Sequence, residues 1–112
     1  MALVVPNSAE LELLELMLSS YSSSSQLKCK LYKNDYTPIA TSVVGDFTEA
    51  TFTGYAAVTI DESLWTYATV DGKAVATYDS SPMEWTVTGS PNTIYGYFIT
   101  SNDGATLYFA EK

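Results

Sequence analysis

The chain has 112 residues, a net charge of −8, 46% hydrophobic residues and only 16% charged residues. That composition favours one folded domain, which we place at residues 1–112, over a disordered chain. The acidity argues against nucleic acid or an anionic membrane as a partner. All five basic residues are lysines and histidine is absent, so the commonest general acid–base group and the bidentate phosphate-binding group are both missing.

The N-terminal part predicts an apolar arm followed by a helix. Residues 1–6 form the arm, which is too short for the apolar core of a signal segment, so we expect production in a cytoplasm. Leucines recur at helical spacing over residues 8–20, and Ser8 is placed to cap that helix. The serine tract Ser22–Ser25 predicts a linker.

From residue 26 the hydrophobic period changes to two, which predicts a β region over residues 26–112. Leu27, Cys29 and Leu31 should point inward and the intervening lysines outward, as a solvated face or a guard on a sheet edge. Cys29 is the only cysteine, so no internal disulfide is possible, and we expect it to pack as a small core residue.

The middle of the chain predicts further strands with turns between them. Pro38 closes a turn over residues 34–38, because proline cannot continue a strand ladder. Extended segments are expected at Ile39–Val44, Phe47–Thr53 and Tyr55–Ile60.

The clearest local signal is Asp71-Gly72 between two alternating runs, Trp65–Val70 and Lys73–Tyr78. Such a dipeptide predicts a hairpin with a type I′ turn. The register that follows sets Val70 opposite Lys73, Ala68 opposite Val75, and Trp65 opposite Tyr78. A turn at Ser80-Ser81-Pro82 should close the hairpin.

The last third predicts a strand at Glu84–Thr88 and a hairpin of Thr93–Ser101 with Ala105–Ala110. Gly96 interrupts an aromatic run, which indicates a bulge or a closely approaching neighbour. Turn signals recur about every ten residues. We therefore predict a mainly β fold, an antiparallel sandwich or barrel of about seven or eight strands with one N-terminal α-helix.

Candidate chemical motifs are weak throughout. Paired carboxylates occur as expected by chance among 13 acids, and neither a calcium-loop pattern nor a nucleophile elbow is present. The Ser-x-x-Lys spacing of Ser25 and Lys28 lacks its companion motifs. We predict a protein that is not an enzyme, with no catalytic, cofactor-binding or metal site. The carboxylate pairs considered are Asp46 with Glu49 and Asp61 with Glu62.

Aromatic and apolar residues suggest an interface instead. Nine tyrosines exceed the needs of a small core, and Tyr95 and Tyr97, placed on one strand face, are candidates for a subunit or partner contact, with core packing as the alternative. A sugar-stacking platform also stays open. In the arm, the apolar residues can add to a partner's sheet edge or pack on their own domain; they are Leu3, Val4 and Val5.

Three stretches carry a family resemblance: Met1–Asn7 with the Glu/Leu helix after it, Asp46–Tyr55, and Ile94–Thr100. Together they resemble small virion proteins of tailed bacteriophages, some of which resemble capsid decoration (cement) proteins. The C-terminal segment Leu107–Lys112 fits the pattern, but it has a lysine where the group is expected to show arginine and a final aromatic residue.

The resemblance implies a structural protein in the virion, present in many copies on the outer capsid surface. Homotrimers at local symmetry axes would bind the major capsid protein and bridge neighbouring subunits. Two alternatives stay open: a minor tail or baseplate component, and a module that binds carbohydrate or a host surface through Trp65 or Trp85.

Overall fold

The computed structural model describes residues 1–19, 26–78 and 83–112. The predicted fold class is confirmed, because the chain is mainly strands in two antiparallel sheets with one N-terminal helix. The sheets are sandwich-like and not closed into a barrel, and the described part of the chain holds six strands, fewer than expected. The elements are α1 Asn7–Ser19, β1 Lys28–Tyr32, β2 Val58–Thr59, β3 Trp65–Val70, β4 Lys73–Tyr78, β5 Gly96–Thr100 and β6 Leu107–Glu111.

Several predicted strands are absent or shortened. Ile39–Val44 and Glu84–Thr88 form no strand, Tyr55–Ile60 shortens to β2, and Phe47–Thr53 contributes only a bridge from Glu49 to Tyr32. Among the described residues, Ile39–Val44 and Glu84–Thr88 pair with no strand, and Phe47–Thr53 meets only the end of β1, where the Ala50 N–H donates to the carbonyl of Leu31. Strand propensity reflects such neighbours more than the backbone itself. The predicted linker at Ser22–Ser25 and turn at Ser80–Pro82 lie outside the described residues.

Helix α1 begins at Asn7, where the carbonyl of Pro6 accepts a hydrogen bond from the Glu10 N–H at 3.0 Å. The prediction of Ser8 as N-cap is therefore wrong by one or two positions, a common error at helix ends. The helix packs on the β3–β4 hairpin, with its first residue beside the hairpin turn, since a Cβ on Gly72 would lie 3.6 Å from Asn7 Nδ2. Among the described residues no helix has the length and hydrophobicity to span a membrane.

The β3–β4 hairpin confirms its predicted register in full. Val70 pairs with Lys73, and the pairs Ala68–Val75 and Trp65–Tyr78 follow. Asp71 and Gly72 have φ angles of 50° and 74°, the left-handed pair that a type I′ turn requires. The two-residue turn Asp71-Gly72 was therefore sufficient to predict which side chains lie opposite each other in the hairpin.

The four-stranded sheet has the order β2-β1-β5-β6, so β1 is an inner strand. The prediction that its lysines guard an edge is wrong. Lys30 is only 18% exposed; its Nζ lies 3.2 Å from Glu49 Oε2 and 5.9 Å from the centroid of the Phe98 ring. A cation held between a carboxylate and an aromatic face retains partners when it leaves bulk water.

Each face of this sheet carries its own hydrophobic cluster. The first cluster lies between the sheet, the hairpin and α1, and contains Leu18, Leu27, Cys29, Ile60 and Ile99. Cys29 is thus a buried core residue, as predicted. The second cluster lies on the opposite face under the loop that follows β1, and consists of Tyr32, Phe47 and Phe98.

Two buried polar atoms of the hairpin, Trp65 Nε1 and Tyr67 Oη, have no hydrogen-bond partner in the described structure. A buried hydroxyl without a partner costs about 1–3 kcal/mol of desolvation. We expect Tyr67→Phe to leave the free energy of unfolding unchanged or raise it by about 1 kcal/mol, measured by urea denaturation. Tyr78→Phe is the matched control, because the Tyr78 hydroxyl accepts a hydrogen bond from the Asp61 N–H. A clear loss in Tyr67→Phe would show that its hydroxyl has a partner.

Candidate interface surfaces

The arm and the outer side of α1 form an exposed apolar surface, here called the arm–helix groove. Leu3 and Val4 are 85% and 87% exposed, and Leu13 and Leu16 on the helix are 55% and 58% exposed. The groove between them has a volume of about 680 Å³. Exposed apolar side chains gathered in one place are typical of surfaces that are covered in the functional state.

Helix α1 is apolar on two sides, which explains why this groove exists. Leu14 and Leu18 face the first cluster, while Leu13 and Leu16 face away from it. A surface helix ordinarily keeps its outer side polar. The helical spacing of the leucines predicted the helix but not a second apolar side; the signal for that side is that the leucines span more of the helix surface than one contact can cover. Glu12 and Glu15 also line the groove.

The structure separates the two predicted interface tyrosines. Tyr95 precedes β5, is half-buried against the second cluster and lies with its ring 5.8 Å from Lys112 Nζ. Tyr97 lies on the opposite face of the sheet, is 38% exposed and donates a hydrogen bond from its hydroxyl to Glu111 Oε2 at 2.5 Å. That bond, with partial burial, raises the pKa of Tyr97 to about 12. The two rings therefore do not form a single platform.

Tyr97 instead lines a shallow apolar depression of about 220 Å³. Trp85 forms another wall, and its indole N–H donates to the carbonyl of Ala56 at 2.8 Å, which fixes the orientation of the ring. Trp65 by contrast packs into the first cluster against Tyr78, with ring centroids 5.0 Å apart. Of the two tryptophans considered for sugar stacking, Trp85 is the one beside a surface depression.

A third surface, here called the β6 groove, lies between the outer strand β6 and the loop after Pro38. Its volume is about 390 Å³. Ile39, 63% exposed, stands on the loop side and Phe109, 36% exposed, on the strand side. Ile39 was predicted to lie in a strand, so this groove was not predicted from the sequence. The lining residues are Pro38, Ile39, Ala40, Ser42, Leu107, Tyr108, Phe109 and Ala110.

Three of the four candidate catalytic carboxylates, Asp46, Glu49 and Asp61, have structural partners. Asp46 Oδ2 accepts from the Val43 N–H at 2.9 Å and so closes a short 3₁₀ turn. Glu49 binds Lys30 and also accepts from the Tyr55 hydroxyl at 2.8 Å. Asp61 accepts from the N–H and hydroxyl of Ser63, which lowers the pKa of its carboxyl. No three potential metal-ligating side chains cluster within residues 1–19, 26–78 and 83–112, and Ser25 lies outside that part.

The thiol of Cys29 is buried in the first cluster, and burial raises its pKa from 9.0 to about 11. A thiol whose folded pKa is raised stabilises the fold fully below the unfolded pKa and loses that contribution as the pH rises through 9 towards 11. Between pH 8 and pH 10 we expect this group to lower the free energy of unfolding by about 1 kcal/mol.

Cys29→Ala tests this pH dependence. Urea denaturation at pH 8 and pH 10 should show a smaller alkaline loss in the variant than in the wild type, whatever stability the smaller side chain costs at both pH values. Equal losses in the two proteins would contradict the assignment. Tyr97, whose pKa is raised from 10.0 to about 12, also loses stability as the pH approaches 10, but it does so equally in both proteins and cancels from the comparison.

Comparison with protein-family models, curated protein sequences and solved structures finds no match to this chain. The resemblance to virion proteins of tailed phages therefore rests on the three sequence motifs themselves.

Proposed function

We propose that the chain is a structural protein of a tailed-phage virion, a capsid decoration protein without enzymatic activity. It would bind the outer capsid surface as a homotrimer and bridge neighbouring copies of the major capsid protein. The observation that carries the proposal is the outer face of α1, where Leu13 and Leu16 are exposed beside Glu12 and Glu15.

The three motifs of the resemblance have different places in this fold. Residues 1–7 include the exposed arm. The third motif includes β5, and the second motif packs on that strand, because Phe47 stacks on Phe98 with ring centroids 4.9 Å apart. Two of the motifs thus belong to the packed core around the sheet, and the first includes an exposed N-terminal arm. This arrangement supports a binding role for the N-terminal part.

The chemistry of the α1 face favours a particular kind of surface on the capsid. Its leucines would be covered by apolar side chains, and its glutamates would be met by lysine or arginine, because unpaired like charges oppose association. A protein that bridges neighbouring capsid subunits binds only the assembled shell, so it stabilises the assembled state by mass action. Internal DNA pressure would then have to break the decoration contacts as well as the shell contacts.

The first test is the number of copies in purified particles of the encoding phage, quantified by mass spectrometry with isotope-labelled peptides. A copy number comparable to that of the major capsid protein is the expected result. A few copies per particle would instead favour a minor tail or baseplate protein. Complete absence from the particle would sink the virion proposal.

A second test addresses the α1 face directly. Leu13→Asp/Leu16→Asp should abolish binding to shells that lack the chain, in a co-sedimentation assay. Thr66→Asp/Thr77→Asp is a matched control, because both threonines are exposed on the hairpin. Binding that survives the leucine changes would mean that another surface meets the shell.

A carbohydrate-binding module is the second candidate, and the depression beside Trp85 is the observation that favours it. Tryptophan and tyrosine together can stack on the apolar face of a sugar ring. Retention on a glycan array that Trp85→Ala abolishes would support this function. Thr88→Ala, an exposed position on the same segment, is the control.

A further inference from the structure

The β6 groove follows the edge of a strand. β6 ends the order β2-β1-β5-β6, so the described residues place no strand on its outer side. Four consecutive residues of β6 line the groove. Because consecutive strand residues point to opposite faces, a groove lined by all four runs along the backbone edge. Strand edges offer backbone donors and acceptors to any extended segment that reaches them.

The arm has the properties of such a segment. Residues 1–6 belong to no strand, and Leu3 and Val4 are almost fully exposed. Valine is a good strand residue, and Pro6 ends the stretch that can donate backbone hydrogen bonds. Fully extended, six residues span about 20 Å, close to the roughly 17 Å length of a five-residue strand such as β6.

The arm lies away from its own four-stranded sheet. Its helix α1 starts beside the hairpin turn and reaches that sheet only near its other end, where Leu18 packs with Leu27 and Cys29. The eleven residue-to-residue steps from Asn7 to Leu18 correspond to about 16 Å of helix. An exposed arm that leaves from the hairpin end of α1 is therefore placed to reach the sheet edge of another molecule.

We propose that the arm of one copy adds as a strand to the β6 edge of a second copy. Alternate side chains of the arm would then contact Ile39 and Phe109 in the groove. Donor and acceptor are different surfaces, so the contact is head-to-tail and closes into a ring when the rotation permits. This deepens the proposed function, which includes a homotrimer, by assigning the contact between its copies.

The test measures association in solution without capsid shells, so its outcome is separate from shell binding. Sedimentation velocity over a concentration series should show reversible association of the wild type. The donor variant Leu3→Asp/Val5→Asp and the acceptor variant Ile39→Asp/Phe109→Asp should each raise the dissociation constant about tenfold or more. Leu13→Asp/Leu16→Asp is the control and should associate as the wild type does.

Mixing the two variants gives the sharpest result. The acceptor variant still has an intact arm, and the donor variant still has an intact β6 edge, so one pair can form. That pair cannot grow, because its remaining arm and remaining edge are both altered. We therefore expect dimers in the mixture and monomers in each variant alone. Amide hydrogen exchange should slow at residues 107–111 of the donor variant when its partner is added.

Three outcomes would overturn the assignment. The first is a wild type that stays monomeric at every concentration, and the second is association that the donor variant leaves unchanged. The third is loss of association in the helix variant alone, which would place the contact on α1. Ile39→Asp by itself, outside any strand, tests the acceptor side should Phe109→Asp disturb folding, which circular dichroism would reveal.

Discussion

Phe98→Ala should lower the free energy of unfolding by about 3–5 kcal/mol, the usual cost of emptying a buried phenylalanine site. Phe98 is 1% exposed and stacks on Phe47, with the ring of Tyr32 6.3 Å away. The cavity would open between the sheet and the loop after β1, where three buried residues of the described part of the chain form the second cluster. Chemical denaturation followed by fluorescence measures the loss.

Phe109→Ala is the matched control for this change. Phe109 lies on the neighbouring strand and is 36% exposed, so its removal should cost about 1 kcal/mol. Equal losses in the two variants would contradict the view that the second cluster holds this face of the sheet together. If the two losses are equal because that of Phe98→Ala is also small, the loop has collapsed into the space that Phe98 vacated.

Gly96→Ala should be almost as damaging, with an expected loss of about 3 kcal/mol from overpacking. A Cβ at this position would lie 2.0 Å from the carbonyl oxygen of Glu111, and 2.8 Å from both Lys112 Cα and Tyr32 Oη. Two of these contacts are with backbone atoms, so rotating a side chain cannot relieve them. The end of β6 must move away from β5, and amide exchange at residues 109–111 should speed up.

Gly45→Ala is the control for the same substitution in open space, since a Cβ there meets no atom within 4 Å. Its stability should be unchanged or rise by up to about 1 kcal/mol, because alanine restricts the unfolded chain. A Gly96→Ala protein as stable as Gly45→Ala would show that the β5–β6 ladder can adjust. The prediction of a close neighbour at Gly96, made from the aromatic run around it, is confirmed by these distances.

Turn residues in the sequence predicted the hairpins, because the structure of a hairpin depends on interactions between residues close together in the chain. The register of β3 with β4 followed from Asp71-Gly72 because a two-residue turn leaves one pairing available. The β5–β6 hairpin was also predicted, around the turn Asn102-Asp103-Gly104, but that longer turn fixed no register, and the pairing of the two strands shifts between Ile99 and Thr100. Pairing of β1 with β5 has no local signal, since it depends on which distant strands bury each other's side chains.

The lysines of β1 show why the edge prediction failed. Alternation reveals that a strand has two unlike faces, but not what covers each face or lies at each side. Here the loop after β1 folds over the lysine-bearing face and brings Phe47 and Glu49 to it. For the interface, exposure of Leu3, Val4 and Val5 agrees with their candidate role, whereas exposure of Leu13 and Leu16 depends on how α1 rests on the hairpin.

The hydrophobic clusters on both faces of the four-stranded sheet determine which amides exchange with solvent through local unfolding. β1 and β5 are the two inner strands, and both contribute side chains to both clusters. Their amides can therefore contact solvent only when packing is lost on both faces, which amounts to global unfolding. The β3–β4 hairpin touches one cluster alone, so its amides can exchange through smaller and more frequent openings while the central strands stay closed.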